Sequence, residues 1–416
     1  MIFQVRKNMN SARRRFLKYL AASPLLAGSD LLAQEQRLPD PSVWAPRTPD
    51  NLIEQPSDAL SVFDFEPIMH KNVRPAHFGY MTTGIDDEVT LRANRQDFQK
   101  FQLLPRRLVD VERLDLSMEL FGQIWRSPIV LAPTASNKAF HDDGELAVAR
   151  AASKGNHLQI LSTLATTSIE QAIEARGRPI WFQLYPTNKW SVAETLAKRA
   201  EKAGAGTIVV TVDVLARQNW ETYVRLWRAD KPDCGSCHGL ELASYLKRKP
   251  HFNGLDISGL GSTGATNLTW DFIKRLRDTV KTRLVLKGLM TPADALLAVE
   301  HGLDAIVVSN HGGRAEDSGR STIDALPEIV EAVDGRIPVL VDSGFRRGTD
   351  IVKALAHGAR AVCIGRPYLW GLGAFGQAGV ERVLDLLQQE TRAAMQQVGA
   401  RALKQLGPAL VRRVPG

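Results

Sequence analysis

The chain has 416 residues, 44% of them hydrophobic and 24% charged, a globular composition with length for a large barrel or two ordinary domains. No run reaches the roughly 18 apolar residues of a membrane-spanning helix. The formal charge of +8 is no nucleic-acid footprint, because residues 1–33 carry +5 of it and no basic stripe with interleaved aromatics follows.

The first element reads as an address. Arg13-Arg14-Arg15-Phe16-Leu17-Lys18 precedes a modest apolar run, Tyr19 to Ala27. This resembles a twin-arginine export signal, with Ala12 where Ser or Thr is usual, and implies a periplasmic protein cut after about Ala33 or held at the membrane. The bland alternative is a frayed basic helix. Residues 34–57 are rich in proline and polar residues and are expected to form an arm or linker.

From residue 58 a rhythm sets in. Eight short runs rich in β-branched residues appear: Pro128–Thr134, Gln159–Thr163, Pro179–Tyr185, Gly206–Asp213, Arg283–Gly288, Asp304–Asn310, Ile337–Asp342 and Ala361–Gly365. They are nearly all apolar, as parallel strands buried on both faces must be. Helical stretches such as Gly144–Lys154, Ser191–Lys202, Pro292–His301 and Gly348–His357 lie between them. The alternation predicts an α/β chain folded as a (β/α)8 TIM barrel over 58–416. A doubly wound open sheet is the alternative, disfavoured because no Gly-x-Gly-x-x-Gly follows the first strand. Almost seventy residues separate Asp213 from Arg283; a connection this long after strand four predicts a functional lid, about 214–270, over the catalytic face.

Polar residues at the C-terminal strand ends are the candidates for chemistry. They are Thr134, Ser162, Gln183, Tyr185, Thr211, Asp213, Lys287, Ser309, His311, Arg314, Asp342, Gly344, Arg346, Gly365 and Arg366. Any one could be plain strand-end punctuation, and a lone histidine there is as often structural. A convergent set of this size is hard to explain so. Glycines and arginines after strands seven and eight predict a phosphate site, since glycine admits backbone N–H groups and arginine adds a charged fork.

At these residues the chain resembles the FMN-dependent 2-hydroxy-acid dehydrogenase and oxidase family, which includes glycolate and lactate oxidases, mandelate dehydrogenase and flavocytochrome-type lactate dehydrogenases. The stretches are Leu131-Ala132-Pro133-Thr134-Ala135, Phe182-Gln183-Leu184-Tyr185, Thr211-Val212-Asp213, Leu286-Lys287-Gly288, Ser309 to Arg314, Asp342 to Asp350 and Ile364 to Pro367. The resemblance implies FMN and oxidation of an L-2-hydroxy acid, lactate-like or bulkier, to the 2-oxo acid, with oxygen, a quinone or a cytochrome taking the electrons, in a homo-oligomer such as a tetramer. It implies that His311 is the base, that Asp213 orients it and that Lys287 offsets charge on reduced flavin. Tyr80, Tyr185 and Arg314 would hold the substrate. Pro133, Thr134, Ala135, Ser162, Gln183, Thr211 and Ser309 would meet the ring and ribityl groups. Asp342, Gly344, Arg346, Gly365 and Arg366 would take the ribityl and phosphate.

Three departures stand out; the first two bear on the substrate rather than the flavin, and the third is a small change. The family's second carboxylate-binding arginine falls on Trp220, with Arg217 nearby; Leu164 stands where an aromatic is frequent; and Asp342-Ser343-Gly344 replaces Asp-Gly-Gly. Trp220 and Leu164 point to a bulkier acid, or to an α-amino or peptide-derived compound. A non-catalytic barrel binding a phosphorylated ligand would leave His311, Asp213 and Lys287 without a purpose. Separately, Cys234-Gly235-Ser236-Cys237-His238 is the C-x-x-C-H pattern of c-type haem attachment; a disulfide, a partial metal site or two unrelated thiols are its alternatives. Cys363 lies inside strand eight and is expected to be a packed core thiol.

Overall fold

The computed structural model describes residues 52–215, 218–230 and 242–414. Three short strands precede the barrel strands on the chain. β1 (Phe101–Leu103) later pairs with the last strand, while β2 (Met118–Leu120) and β3 (Gln123–Trp125) form an antiparallel hairpin. The eight expected strands then follow. They are β4 (Ile129–Leu131), β5 (Leu158–Ser162), β6 (Trp181–Leu184), β7 (Thr207–Thr211), β8 (Arg283–Leu289), β9 (Ala305–Val308), β10 (Val339–Val341) and β11 (Ala361–Ile364). They close as one parallel barrel in chain order, β11 pairing back to β4 through Cys363 and Val130. β12 (Val411–Arg413) completes the small outer pair with β1.

Alternation along each strand builds two layers. Val130, Ile160, Val209, Val285, Val307, Leu340 and Cys363 fill the barrel interior, and Met118, Leu120 and Trp125 of the hairpin close one end of it. Their neighbours Ile129, Leu161, Phe182, Ile208, Leu286, Ile306, Val341 and Ile364 face the helices. Each such side chain contributes about 1.5–3 kcal/mol when fully buried. Seven of the eight expected runs overshot their strands by one to three residues at the C-terminal end, and the fifth stopped one residue short of Leu289. Those overhanging residues, such as Pro133, Thr134, Tyr185 and Asp213, leave the ladder and become the loops that carry the site.

The helices are α1 (Phe65–Asn72), α2 (Pro75–Thr82), α3 (Val89–Gln96), α4 (Gly144–Lys154), α5 (Ile169–Arg176), α6 (Trp190–Lys202), α7 (Glu221–Asp230), α8 (Leu242–Leu246), α9 (Trp270–Thr279), α10 (Pro292–Glu300), α11 (Thr322–Val333), α12 (Gly348–Ala356) and α13 (Arg366–Gln397). Side chains fix three starts: Ser168, Thr291 and Ser321 accept from backbone N–H groups three residues on, at 3.2, 3.2 and 3.3 Å. The expected arm is not wholly apart from the barrel. Leu52 and Ile53 pack against the core and Pro56–Asp58 forms a 3-10 turn. Residues 1–51, where the export signal is expected, lie outside the described residues.

The long connection after β7 contains α7 and α8. α7 packs on α2, bringing Tyr223 within 5.7 Å of Tyr80 between ring centroids.

Candidate active site

A cavity of about 510 Å³ opens at the C-terminal end of the barrel strands, within the range of small-molecule sites. Of the expected residues, Tyr80, Pro133, Thr134, Ala135, Ser162, Tyr185, Lys287, His311, Arg314, Asp342, Gly344, Arg346, Gly365 and Arg366 line it. Asp213, Gln183, Thr211 and Ser309 do not; they stand behind the wall and hold it.

His311 follows β9 with φ at +59°, a left-handed turn that swings its ring over the cavity. Its Nδ1 lies 2.8 Å from Asp213 Oδ1, and its Nε2 lies 3.4 Å from the Tyr185 hydroxyl. With Nδ1 donating to the carboxylate, Nε2 is left with its lone pair toward the cavity. Burial would raise the Asp213 carboxyl, but His311 and Lys287 outweigh it and hold the group below its ordinary value. Burial raises the Tyr185 phenol, with Asp213 and Tyr80 adding to the effect, so it stays protonated and can donate.

Lys287, on β8, is buried between two carboxylates. Its Nζ is 3.3 Å from Asp342 Oδ2 and 3.8 Å from Asp213 Oδ2, and donates to Ser309 Oγ at 2.8 Å. Burial alone would discharge it; Asp342 and Asp213 reverse that and raise it, keeping an ammonium at the cavity wall. Ser309 Oγ also accepts the His311 backbone N–H at 3.0 Å, tying base and lysine to one hydroxyl. Gln183 supports the far side, accepting from Ser162 Oγ at 3.2 Å and donating to Thr211 Oγ1 at 3.0 Å.

Arg314 is half-buried against aromatic faces. Its guanidinium carbon lies 4.6 Å from the Trp220 ring centre and 5.0 Å from that of Tyr80, and it donates to the Tyr80 and Thr83 carbonyls at 2.6 and 3.1 Å. Trp220 therefore supplies a stacking face in the place expected for a second guanidinium, and its Nε1 donates to the Arg314 carbonyl at 3.2 Å. Leu164 also lines the cavity. Arg217, Cys234, Cys237 and His238 lie outside the described residues. Cys363 is a buried thiol on β11, raised by burial, that reaches the cavity wall.

The ends of β10 and β11 form a cationic corner. Gly344 has φ of +86°, and a Cβ there would fall 1.8 Å from the Asn94 carbonyl oxygen, so only glycine allows this turn against α3. Burial pushes Arg346 well below its ordinary value, with Arg95 and Arg366 adding to the effect. Burial likewise lowers Arg366, to about 9, with Arg314 beside it. Arg366 also opens α13, whose N-terminal N–H groups favour an anion. Buried like charges at a helix start fit a phosphate, and the Lys287 ammonium fits an electron-rich ring edge. The residues present thus suit FMN.

Several wall residues carried no individual sequence signal. Ser343, seen in the sequence only as a small change, has φ of +77°; its Oγ accepts the Gly312 N–H at 2.9 Å and donates to Asp342 at 2.7 Å. Tyr223, Leu242, Tyr245 and Gly261–Thr263 come from the insert. Their spacing follows no period, so only tertiary packing identifies them.

A closed parallel barrel with a carboxylate-held histidine, a buried lysine and a phosphate corner at its C-terminal face defines a flavin-type oxidoreductase scaffold. A model described as FMN-dependent dehydrogenase matches residues 69–413, and the chain belongs to that family. An L-lactate oxidase of a Nostoc species is 41% identical over 364 residues, covering 84% of this chain and 97% of its own length. Human 2-hydroxyacid oxidase 1 is 40% identical, covering 86% and 97%. Among solved structures, a soluble mutant of the membrane-associated (S)-mandelate dehydrogenase of Pseudomonas putida superposes with a TM-score of 0.78 at 34% identity, covering 85% of this chain and 99% of its own.

Proposed function

We propose that this FMN-dependent enzyme oxidises a 2-hydroxy acid to the 2-oxo acid. The observation that carries this is the His311–Asp213 pair at 2.8 Å, with His311 Nε2 facing the cavity beside the Tyr185 hydroxyl. His311 Nε2 takes a proton from the substrate, and Asp213 stabilises the imidazolium that results. Arg314 and the Tyr80 and Tyr185 hydroxyls hold and orient the acid. Arg346, Arg366, Gly344, Gly365 and Asp342 hold the phosphate and ribityl end of FMN, and Lys287 balances charge at its ring. Pro133, Thr134, Ala135 and Ser162 pack against it, braced by Gln183, Thr211 and Ser309. Bound FMN supplies the acceptor for the electron pair that leaves the α-carbon. The insert over the cavity serves as a lid that excludes water.

Trp220 and Leu164 make the substrate side apolar, which supports an acid bulkier than glycolate; an α-amino or peptide-derived compound is the second reading. The arginine-rich leader supports periplasmic export, where oxygen, a quinone or a cytochrome takes the electrons. The C-x-x-C-H stretch supports a covalent c-type haem as an onward carrier, which a pyridine haemochrome spectrum tests. Family resemblance supports a tetramer, which light scattering tests.

The deciding experiment mixes the FMN-loaded chain anaerobically with lactate, mandelate, longer 2-hydroxy acids and their amino analogues. Bleaching by hydroxy acids, lost in His311→Gln with FMN still bound, is the expected result. Undiminished flavin reduction by His311→Gln would overturn the assignment.

A further inference from the structure

One buried lysine has no place in the reaction described so far. Lys249 follows α8 and is wholly inaccessible to solvent. Its Nζ donates to Ser136 Oγ at 2.6 Å and lies 4.5 Å from the Tyr245 ring centre. Ser136 Oγ is 3.4 Å from the Tyr245 hydroxyl, and Tyr245 hydrogen-bonds the Tyr80 side chain. Both tyrosines line the cavity. A polar chain thus runs from a lysine with no exposed surface to the substrate side of the site.

Donor and acceptor chemistry gives that chain a direction. An ammonium only donates. A charged Lys249 makes Ser136 Oγ its acceptor and favours the serine hydrogen toward Tyr245, whose own hydrogen is then directed to the Tyr80 side of the cavity, within reach of a bound anion. A neutral amine carries a lone pair. Ser136 can then donate back to Lys249 and accept from Tyr245, whose oxygen faces the cavity as an acceptor instead.

We propose that Lys249 is a positioning residue that, through Ser136, decides whether Tyr245 offers a hydrogen-bond donor to the anionic end of the substrate. This rests on the hydroxy-acid reading of the site.

The surroundings place the switch near neutrality. Burial pushes Lys249 down to about 7, with Glu145 on α4 pulling it up and Arg248 pushing it down. Glu145 is engaged elsewhere, accepting from the Asn137 and Thr166 backbone N–H groups and from the Thr166 and Thr167 hydroxyls. Burial lowers His251, two residues on, to about 4, so it is neutral in this range. Arg199 on α6 donates to the Pro250 and His251 carbonyls at 2.9 and 3.3 Å. Tyr245 stays protonated, raised by burial. Because the Lys249 value is depressed, the charged form dominates below about pH 7 and is lost above it. The KM for the acid therefore rises as pH passes 7, by about tenfold, the size of one charge-assisted hydrogen bond. Turnover at saturation does not share that rise.

The test measures KM and the limiting rate of flavin reduction from about pH 6 to 8.5 on the FMN-loaded full chain. Wild type is compared with Lys249→Met, Lys249→Arg and Ser136→Ala, each checked by flavin spectrum and melting temperature. Wild-type KM is expected to rise about tenfold across the range. Lys249→Met is expected to hold the high-pH KM throughout with the limiting rate within about twofold, and Lys249→Arg to hold the low-pH KM. Ser136→Ala interrupts the chain without removing the charge and should behave as Lys249→Met; it decides the matter if the lysine variant fails to fold. A flat wild-type KM, or a Ser136→Ala variant that keeps the wild-type rise, overturns the proposal. If no acid reduces the wild-type flavin, the hydroxy-acid reading falls first and takes this role with it.

Discussion

Gly288 lies directly against Asp213: a Cβ on the glycine would fall 2.8 Å from the aspartate Cβ and 3.0 Å from its backbone nitrogen, and Gly288 holds φ at +115°. The carboxylate that orients His311 is thus seated on a residue that cannot carry a side chain without moving it. Backbone strain of this kind costs about 1–3 kcal/mol. Gly288→Ala is expected to lower the melting temperature by several degrees and slow flavin reduction by at least about tenfold, with FMN retained. Asp213→Asn, which keeps the shape and removes the charge, should cost about 100-fold or more. Anaerobic stopped-flow reduction checks both; an unimpaired Asp213→Asn enzyme would contradict the orienting role.

Arg346 is the probe for the phosphate corner. Its guanidinium carbon sits 4.7 Å from the Trp370 ring centre and burial works against its charge. A dianion nearby would relieve that cost. Arg346→Met should raise the FMN dissociation constant about 100-fold, equivalent to about 2.7 kcal/mol, while leaving the apoprotein at least as stable. Titrating apoprotein with FMN by fluorescence quenching measures this, and an unchanged constant would remove Arg346 from the cofactor site.

Leu164 tests the shape of the substrate side. It is buried and lines the cavity. Leu164→Trp adds a ring there and should reduce kcat/KM for an aromatic hydroxy acid by about tenfold or more relative to lactate. Equal losses for large and small acids would show that Leu164 does not face the substrate side chain.

Acid stability follows from histidines buried in the neutral state. Burial lowers His157 to about 4, and His251 and His357 likewise to about 4. For His157 the partners agree: Gln388 Nε2 donates to its Nε2 at 3.1 Å, which requires a lone pair there. The unfolded chain binds protons at these rings near the ordinary 6.5, so full stability is present above that value. It is lost as pH falls from about 6.5 toward 4, by roughly a few kcal/mol for each of the fully buried rings His157 and His251 and less for the partly buried His357. Melting curves across that range should show the decline, and His157→Gln should flatten part of it. A melting temperature constant down to pH 4 would contradict the neutral burial.

The barrel was legible in the sequence because its strands are buried on both faces. Near-continuous apolar runs such as Ala305–Val308, short, β-branched and bounded by turn residues, match strands buried on both faces. The hairpin Met118–Trp125 that closes the barrel was not legible, since two three-residue strands carry too few alternations to stand out. Strand-end chemistry was legible for the same geometric reason as the strands: in a barrel the C-terminal ends converge, so His311, Lys287, Asp342 and Arg366 share one cavity however far apart they lie on the chain.

What the sequence determined alone is the architecture and the residue types gathered at one face, since both follow from local pattern and chain order. The tertiary structure decided which of those residues face the cavity and which stand behind it. It placed Gln183, Thr211 and Ser309 in support, and it put Trp220 over Arg314. It also joined Lys249 to Tyr245 through a serine 113 residues away. Such relations depend on left-handed turns, as at His311 and Ser343, and on packing of an aperiodic insert. Gly288 shows the division well. Its place beside Lys287 is written in the chain, but its closeness to Asp213 exists only because two neighbouring strands end side by side.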